Sequence, residues 1–273
     1  MDVEKVPLDK KHHILVPGPR ARAEDNQSRR PILGDSTAEA VVATLSYDAK
    51  SKYTKGDRVG VAIRAKQLDG WIREFLGRNP EATVLDLGCG LDGRARRIAP
   101  GPGVRWYDLD LPEVIAIRER IPALAPVNGA HSVIAASVSD PGWLDDIPRD
   151  RPVFVAAEGL LMTLTEEEVR DLFVRLVTHF PGGELGFNAF NPLALRLQRS
   201  HPAVRALGVT FQWGVDEPTD LEAWHPRLSF VAELAPVESP DIDRMGPTER
   251  LISRLMRRSR RLLRLDRLVR LRF

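Results

Sequence analysis

The chain has 273 residues, which is long enough for one large α/β domain with a well-filled core or for two small domains. Its residues are 43% hydrophobic and 29% charged, as in an ordinary soluble globular protein. No apolar run approaches the roughly 20 residues that span a bilayer, and the N-terminus has no apolar stretch of signal-peptide length, so we expect a cytoplasmic protein without a membrane partner. The single cysteine, Cys89, excludes an intramolecular disulfide and a cysteine-based metal cluster, and we predict no metal site.

Positive charge is concentrated in one segment. The formal net charge is +2, but residues 250–273 hold ten arginines and one acid, which gives that segment +9 and leaves −7 for the remainder. Leucines fall between the arginines at an approximately helical spacing, and a basic amphipathic helix can bind acidic lipid, nucleic acid or a protein. We favour a packed helix whose charged face balances the acidic body. Because the segment lacks the interleaved aromatics of nucleic-acid readers, we expect no nucleic-acid partner.

The first part of the chain is predicted to contain two helices. Residues 1–35 show no clear periodicity and are interpreted as loop or short helix. Asp35 or Ser36 can cap a helix that begins at Thr37, and the apolar residues of 57–76 recur at mostly helical spacing.

From residue 83 the pattern changes to short apolar runs that alternate with helical segments. The apolar runs are 83–87, 104–109, 132–136, 153–157 and 184–189, with helical segments such as 111–120 and 166–180 between them. Alternation of this kind predicts a parallel sheet wrapped by helices, which is an α/β fold. Further along, 228–234 is a strand candidate, 247–265 is predicted to be helical, and 268–273 is interpreted as a last edge strand.

The first of these strands leads into a glycine-bearing turn that opens a helix. The segment is Val-Leu-Asp-Leu-Gly-Cys-Gly, in which Gly88 and Gly90 let the backbone turn tightly and approach a ligand closely. The amides at the start of the following helix face the same ligand. Since Gly93 completes the spacing G-x-G-x-x-G, a dinucleotide-binding fold remains the structural competitor.

Two acids around the turn argue against a dinucleotide. Asp86 lies inside the strand, where it would repel a pyrophosphate and would suit a ligand with a positive ammonium and sulfonium. Asp110 ends the next strand, about 20 residues after Gly90, where an acid accepts hydrogen bonds from a ribose. The two acids therefore favour S-adenosylmethionine as the cofactor.

A third acid follows another apolar strand. Glu158 comes directly after the run 153–157, at the end of the strand where open parallel sheets bind ligands. The alternative interpretation is a helix-cap or loop acid. Because a carboxylate that ends an apolar strand is costly to leave unpaired, we favour a contact between Glu158 and the ligand.

Several longer segments resemble one known family. They read WIREFL, VLDLGCGLDGR, VRWYDLDLPEVI, AEGLLMTLTEEEV, FPGGEL and FQWGVDEPTDLEAW, in that order along the chain. In this order they resemble the leucine carboxyl methyltransferase-like family, and within it the bacterial branch of polyketide O-methyltransferases. The resemblance implies a class I S-adenosylmethionine-dependent methyltransferase fold with a Rossmann-like, mostly parallel sheet. It also implies a helical cover, assigned to residues 1–79, beside a cofactor-binding core at 80–273.

The resemblance also assigns roles to individual positions. Gly88 and Gly90 would line the amino-acid portion of the cofactor, and Asp110 would hold its ribose hydroxyls. Arg64 would pair with the methionine carboxylate, because a planar guanidinium binds a carboxylate at two points. Glu158 would lie near the methionine ammonium or the reacting centre.

Three positions depart from the family pattern. Gly93 stands where the family usually has threonine, and Thr163 stands where it usually has tyrosine. Ser137 replaces an aspartate at a position that contacts the adenine, and we retain it as a cofactor-binding candidate. These changes bear mainly on the acceptor and on the reaction.

The expected chemistry is an in-line displacement at the sulfonium methyl, for which the enzyme holds the acceptor atom close, at roughly 3 Å. A carboxylate acceptor is already ionised at neutral pH and needs no base, whereas a phenol or alcohol benefits from one. His201 and His225 are the candidate bases, since they lie in the segment expected to cover the pocket. For each of them an ordinary loop histidine is the alternative.

These observations predict an S-adenosylmethionine-dependent O-methyltransferase that acts on a carboxylate or hydroxyl of a small polyketide-like natural product. Two alternatives remain. The first is a methyltransferase fold turned to another reaction, such as a cyclase or isomerase, which the altered Ser137 and Thr163 keep open. The second is a non-catalytic binding protein whose basic segment docks to a partner. No oligomeric state is predicted.

Overall fold

A seven-stranded sheet forms the centre of the computed structural model, which describes residues 5–46, 54–200, 204 and 209–273. Its strands are β3 (Thr83–Leu87), β4 (Arg105–Asp110), β5 (His131–Ala135), β6 (Val153–Ala157), β7 (Gly183–Phe190), β8 (Ser229–Leu234) and β9 (Asp266–Arg272). Two short strands, β1 (Val6–Pro7) and β2 (Leu45–Ser46), pair separately. The α-helices are α1 (Pro17–Asn26), α2 (Ser36–Thr44), α3 (Lys55–Arg78), α4 (Arg94–Ile98), α5 (Pro112–Arg118), α6 (Glu166–His179), α7 (Pro192–Leu197), α8 (Pro247–Met256) and α9 (Arg260–Leu263).

The strand order in the sheet is β5-β4-β3-β6-β7-β9-β8. The five strands from β5 to β7 are parallel, and β9 runs antiparallel to both of its neighbours. The order reverses between β3 and β6, and ligands of open α/β sheets bind outside the carboxyl ends of the strands at such a point. The predicted α/β class is therefore confirmed, with the glycine turn at the expected edge.

Alternation along the strands directs side chains to two helical layers. Val84 packs with Leu68 and Ile72 of α3 on one side, whereas Leu85 packs with Leu172 of α6 on the other. Both helices begin with a capping box, in which Thr54 pairs with Asp57 in α3 and Thr165 with Glu168 in α6. The apolar faces of α3 and α6 thus bury both faces of the sheet.

Helix α1 packs against α3, and α2 packs against α1. Of the two predicted caps, Asp35 is the N-cap of α2, and its side chain accepts from the Ala38 amide at 3.1 Å. The predicted boundary between cover and core follows α3, whose own apolar face packs on the sheet, and the division at residue 79 remains a prediction. Among the described residues, no helix combines the length and hydropathy that crossing a bilayer requires.

The prediction of an edge strand at 268–273 is wrong in its placement. The strand runs from Asp266 to Arg272 and lies between β7 and β8, inside the sheet. Leu268, Val269 and Leu271 are completely buried, as an interior position requires. The interleaved arginines hid this pattern, because buried arginine is uncommon unless it is paired.

Within the basic segment, the arginines of β9 and of the residues just before it form one paired group. Arg264 and Arg267 contact Glu233, and Arg270 contacts Glu184. This group fits the interpretation that the segment balances acids of the body. The predicted helix over 247–265 is interrupted, because Ser259 is extended and separates α8 from α9.

Candidate cofactor-binding site

The glycine turn follows β3 and depends on two left-handed residues. Gly88 has φ +65° and Gly90 has φ +48°, a region that strongly favours glycine. A Cβ at Gly88 would lie 3.0 Å from the Leu160 Cβ in the loop after β6, so the turn and that loop approach closely. At Gly90 the nearest atom to such a Cβ would be Leu15 Cδ2, 3.8 Å away, which leaves room beside the backbone.

Asp110 fixes the turn from the carboxyl end of β4. Its Oδ2 accepts from the Gly90 amide at 2.7 Å, and its Oδ1 accepts from the Leu111 amide at 2.8 Å. Burial raises the pKa of Asp110, while the two amide hydrogen bonds oppose that rise. The carboxylate predicted to hold the ribose is thereby positioned beside the glycine turn.

Gly93 has a steric explanation in the structure. A Cβ at this position would lie 2.5 Å from Thr37 Cγ2 and 2.9 Å from Thr37 Cβ, closer than side chains tolerate. Thr37 belongs to α2, and its side chain occupies the space that a larger residue at 93 would need. The departure from the family pattern at Gly93 therefore accompanies the close packing of α2 on the cofactor loop.

Arg94, the first residue of α4, is the centre of a buried ionic cluster. Its side chain is 1% exposed, and its guanidinium contacts four carboxylates. These are Asp69 at 3.0 Å, Asp86 at 3.2 Å, Asp92 at 3.2 Å and Glu158 at 2.8 Å. One side chain thus joins α3, β3, the glycine loop and the end of β6.

Three further arginines extend this cluster. Arg97 contacts Asp35, Asp69 and Asp92, and Arg22 contacts Asp35 and Asp92. Arg64 lies 2.6 Å from Asp266 and 3.7 Å from Glu158. We define the arginine–carboxylate cluster as these residues: Arg22, Arg64, Arg94 and Arg97 with Asp35, Asp69, Asp86, Asp92, Glu158 and Asp266.

Carboxylates outnumber guanidiniums in the cluster by six to four. Burial raises the pKa of Asp86 to about 7, although Arg94 opposes the shift and the neighbouring Asp108 and Asp92 add to it. By contrast, Arg22, Arg97 and Arg94 outweigh burial at Asp92 and lower its pKa. A site with surplus acid favours a ligand that brings positive charge.

A second network supports the loop from β4 and α5. Arg118 donates to the Gly90 carbonyl at 3.0 Å and to the Asp92 carbonyl at 2.7 Å, and it also pairs with Asp108. Asp108 in turn accepts from Trp106 Nε1 at 2.8 Å and lies 3.0 Å from His131 Nε2. The backbone of the glycine loop is therefore held by a buried arginine.

The structure brings most of the predicted positions together at one edge of the sheet. Arg64, Asp86 and Glu158 meet through Arg94, and Gly90 meets Asp110 directly. Gly88 also belongs to this edge, since its amide donates to the Leu109 carbonyl at 2.8 Å. Ser137 follows β5, the neighbour of β4, and its Oγ accepts from the Ser139 amide at 3.2 Å.

Glu158 and Asp86 are both engaged by Arg94, which the sequence did not predict. Glu158 is not an unpaired carboxylate, because Arg94 donates to its Oε2. Asp86 is 3% exposed and engaged by Arg94 Nε, so its charge acts within the cluster. A direct contact of either acid with the cofactor stays a prediction.

The two candidate bases, His201 and His225, do not join the cofactor-binding residues in the described structure. His201 lies outside the described residues. His225 follows a 3-10 turn, and its Nδ1 accepts from the Arg227 amide at 3.1 Å. Arg227 contacts carbonyls at the end of α6, and β8 starts two residues later opposite Arg272, at the amino edge of the parallel strands. This places His225 at the edge of the sheet opposite the glycine turn, and its role as a base stays an untested prediction.

Sequence reasoning missed most of the cluster. Asp69, Asp92 and Asp266 carry no motif that marks them as partners of an arginine. Arg94 and Arg97 offered a signal, since two arginines in a short helix beside a ligand loop need acids if they are buried. That signal predicts acid partners without saying where in the chain they come from.

The backbone, the hydrogen-bonding groups and the charge of the site fit S-adenosylmethionine. The glycines leave backbone accessible beside Gly90, Asp110 offers a carboxylate at the end of β4, and the cluster carries surplus acid for a cationic ligand. Together with the strand order and the inverted β9, this arrangement is that of the class I S-adenosylmethionine-dependent methyltransferase fold.

The chain belongs to the leucine carboxyl methyltransferase family, whose model matches residues 16–177. It is 38% identical over 255 residues to the tetracenomycin polyketide synthesis O-methyltransferase TcmP of Streptomyces glaucescens, covering 93% of each chain. It is 34% identical over 253 residues to the S-adenosyl-L-methionine-dependent methyltransferase dpfgK of Gibberella zeae, covering 84% of each chain. These relationships confirm the predicted enzyme class and cofactor.

Solved structures agree with the fold. A candidate methyltransferase from Thermobifida fusca YX superposes with a TM-score of 0.58 at 19% identity, covering 92% of this chain and 93% of that one. A DUF574 family protein from Streptomyces avermitilis superposes with a TM-score of 0.57 at 13% identity, covering 93% and 96%. At these identities the likeness concerns the fold alone.

Proposed function

We propose that this methyltransferase transfers a methyl group to a carboxylate or hydroxyl oxygen of a small polyketide-like acceptor, by direct in-line transfer. The observation that carries the proposal is the 38% identity to TcmP over 93% of both chains. That match spans 255 residues and therefore extends well beyond the cofactor loop.

The residues of the site divide the work of holding the cofactor. When bound, S-adenosylmethionine supplies a methyl group on a positively charged sulfur. Asp110 would accept hydrogen bonds from the ribose hydroxyls, and Ser137 would lie beside the adenine. Arg64 would hold the methionine carboxylate in competition with Asp266, which it contacts at 2.6 Å. Glu158 would face the methionine ammonium.

A pair of aromatic rings supports a flat acceptor. Phe190 ends β7 opposite Asp266, at the same edge of the sheet as the cluster. Its ring centroid lies 5.1 Å from that of Phe211, and both residues are only partly buried. Partly exposed aromatic faces beside a binding site offer stacking surface for an aromatic or polyketide-like ring system.

The proposal is tested by incubating the purified protein with S-adenosylmethionine and a panel of aromatic carboxylates and phenols. We expect products that gain one methyl group by mass spectrometry. Mild alkali distinguishes the two acceptor atoms, because it cleaves a methyl ester and leaves a methyl ether intact. Acceptor turnover without a gain in mass would instead indicate a cyclase or isomerase and would overturn the proposal.

A variant tests the aromatic pair. Phe211→Ala removes one ring and should raise the KM for aromatic acceptors while the Kd for S-adenosylhomocysteine stays at its original value. Phe211→Leu keeps the apolar volume and should recover part of the loss. Equal losses of acceptor and cofactor binding would show that the ring acts on folding and not on the acceptor.

A further inference from the structure

A cavity outside the cofactor site is lined by three arginines. It has a volume of about 260 Å³ and lies between α8 and the 3-10 turn at Pro240–Arg244. Arg250, Arg254 and Arg257 line it from α8, and Pro240, Ile242 and Asp243 line it from the turn. The spacing of the arginines places all three on one side of the helix.

The helix that carries these arginines is firmly attached. Glu249 accepts from the Gly56 amide at 2.7 Å and from the Gly246 amide at 2.8 Å, which ties α8 to the start of α3. Ser253 is buried against the body. Arg257 Nε donates to the Val237 carbonyl at 2.5 Å, so one guanidinium is held at the rim of the cavity.

The charge of the cavity is not balanced by the protein. Within the described residues, Arg250 and Arg254 take part in no ion pair, whereas Arg264, Arg267 and Arg270 are all paired with glutamates. Asp243 is the single acid in the lining, which leaves the cavity with a net charge of two positive units. The neighbouring Asp241 is already paired with Lys66 at 2.7 Å.

We propose that this cavity binds an anion of the phosphate class, either a soluble diphosphate or the phosphodiester of a lipid headgroup. Guanidinium groups match the oxygens of phosphate in a two-point geometry, and three arginines line this space. The volume is below that of drug-sized pockets, as suits a compact anion. The site is separate from the cofactor loop and is independent of the acceptor proposed above.

Two sources present this chemistry, a soluble phosphate compound and a lipid headgroup. The second source is relevant because Leu251, Ile252 and Leu255 of the same helix are 59%, 51% and 51% exposed. Their side chains project from α8 beside the arginine face, an arrangement found in helices that lie on anionic membranes. The shared ligand is the phosphate group, and the two sources are separated by experiment.

The test uses the full chain with two probes. Sodium pyrophosphate is titrated calorimetrically, and binding to phosphatidylcholine vesicles that contain phosphatidylglycerol is followed by sedimentation. We expect saturable binding of at least one probe, weakened tenfold or more in the double variant Arg250→Gln/Arg254→Gln. Arg258→Gln removes an exposed arginine of the same segment that does not line the cavity, and it should bind as the original protein does.

Variants of the exposed apolar residues of α8 distinguish a lipid headgroup from a soluble phosphate compound as the source of the phosphate. If Leu251→Ser/Leu255→Ser loses vesicle binding and keeps pyrophosphate binding, the cavity serves a lipid headgroup; if only pyrophosphate binds, it serves a soluble phosphate. The proposal is overturned if neither probe saturates, or if Arg258→Gln weakens binding as much as the double variant does. Affinity for S-adenosylhomocysteine verifies that every variant is folded.

Discussion

Arg94 Nη2 donates to Glu158 Oε2 across 2.8 Å, and this contact fastens the helix after the glycine turn to the carboxyl end of β6. The same guanidinium also binds three aspartates while its side chain is 1% exposed. The shape of the cofactor loop and the stability of the fold therefore both depend on the Arg94 side chain.

Replacing Arg94 by methionine should destabilise the protein severely. The change keeps much of the side-chain volume but leaves four acids without their central cation, and breaking a buried ionic pair costs about 3–5 kcal/mol. Urea unfolding measures the loss. The control is Arg96→Met on the same short helix, since Arg96 is exposed and its side chain donates to the Ala125 carbonyl. Equal losses in the two variants would contradict the central role of Arg94.

Asp86 should make the unfolding free energy depend on pH. Burial raises its pKa from 3.8 to about 7 in the folded protein. The folded state therefore retains a proton that the unfolded chain releases, so this group's contribution is full below pH 3.8 and is lost as the pH rises to about 7. Asp86→Asn stays neutral, and the stability of the original protein relative to this variant should fall by up to about 1.4 kcal/mol per pH unit in that window.

Urea unfolding of both proteins at several pH values measures this difference. Asp145→Asn, which changes an exposed aspartate, serves as the control and should show no such trend. A stability difference between the original protein and Asp86→Asn that stays constant from pH 4 to pH 7, roughly the window set by the two pKa values, would refute the assignment.

Thr37 and Gly93 should be energetically coupled. Gly93→Ala adds a Cβ that would meet Thr37 Cγ2 at 2.5 Å, and overpacking of this kind costs about 1–3 kcal/mol. Thr37→Ala removes that methyl group and should recover part of the loss in the double variant. Thermal unfolding of the four proteins forms a double-mutant cycle. Additive effects of the two changes would mean that the contact does not restrict residue 93.

Asp110→Asn should weaken binding of S-adenosylhomocysteine by about ten- to a hundredfold, because hydrogen bonds to a charged acceptor contribute about 1.5–3 kcal/mol. The amide oxygen of the variant can still accept from one of the two backbone amides that Asp110 engages. Isothermal titration gives the Kd. Glu113→Gln, in the first turn of α5, is the control, and an unchanged Kd for Asp110→Asn would remove this residue from the ribose subsite.

The local hydrophobic pattern of the sequence was sufficient to predict the strands that position the glycine turn. The strands Thr83–Leu87 and Val153–Ala157 match the apolar runs in the sequence residue for residue. Both lie in the middle of the sheet, where burial on two faces produces an uninterrupted apolar segment. Gly88 and Gly90 were recognisable because their backbone conformation leaves few other residues possible.

The arginine–carboxylate cluster could not be predicted in the same way. Arg94 meets Asp69 across 25 residues and Glu158 across 64, and Arg64 meets Asp266 across 202. Which acid neutralises which arginine is decided by tertiary packing, and no local spacing encodes it. The placement of β9 was missed for a related reason, since a strand's own pattern does not name its neighbours.

The interior position of β9 has a consequence for the order in which the protein assembles. During synthesis β7 and β8 emerge before residues 266–272, and the strand that separates them is the last of the three to be made. Until then one edge of β7 has no neighbour, and an unpaired edge is a template for pairing with another chain. Because Asp266 arrives with this strand, the contact with Arg64 forms only at that final step.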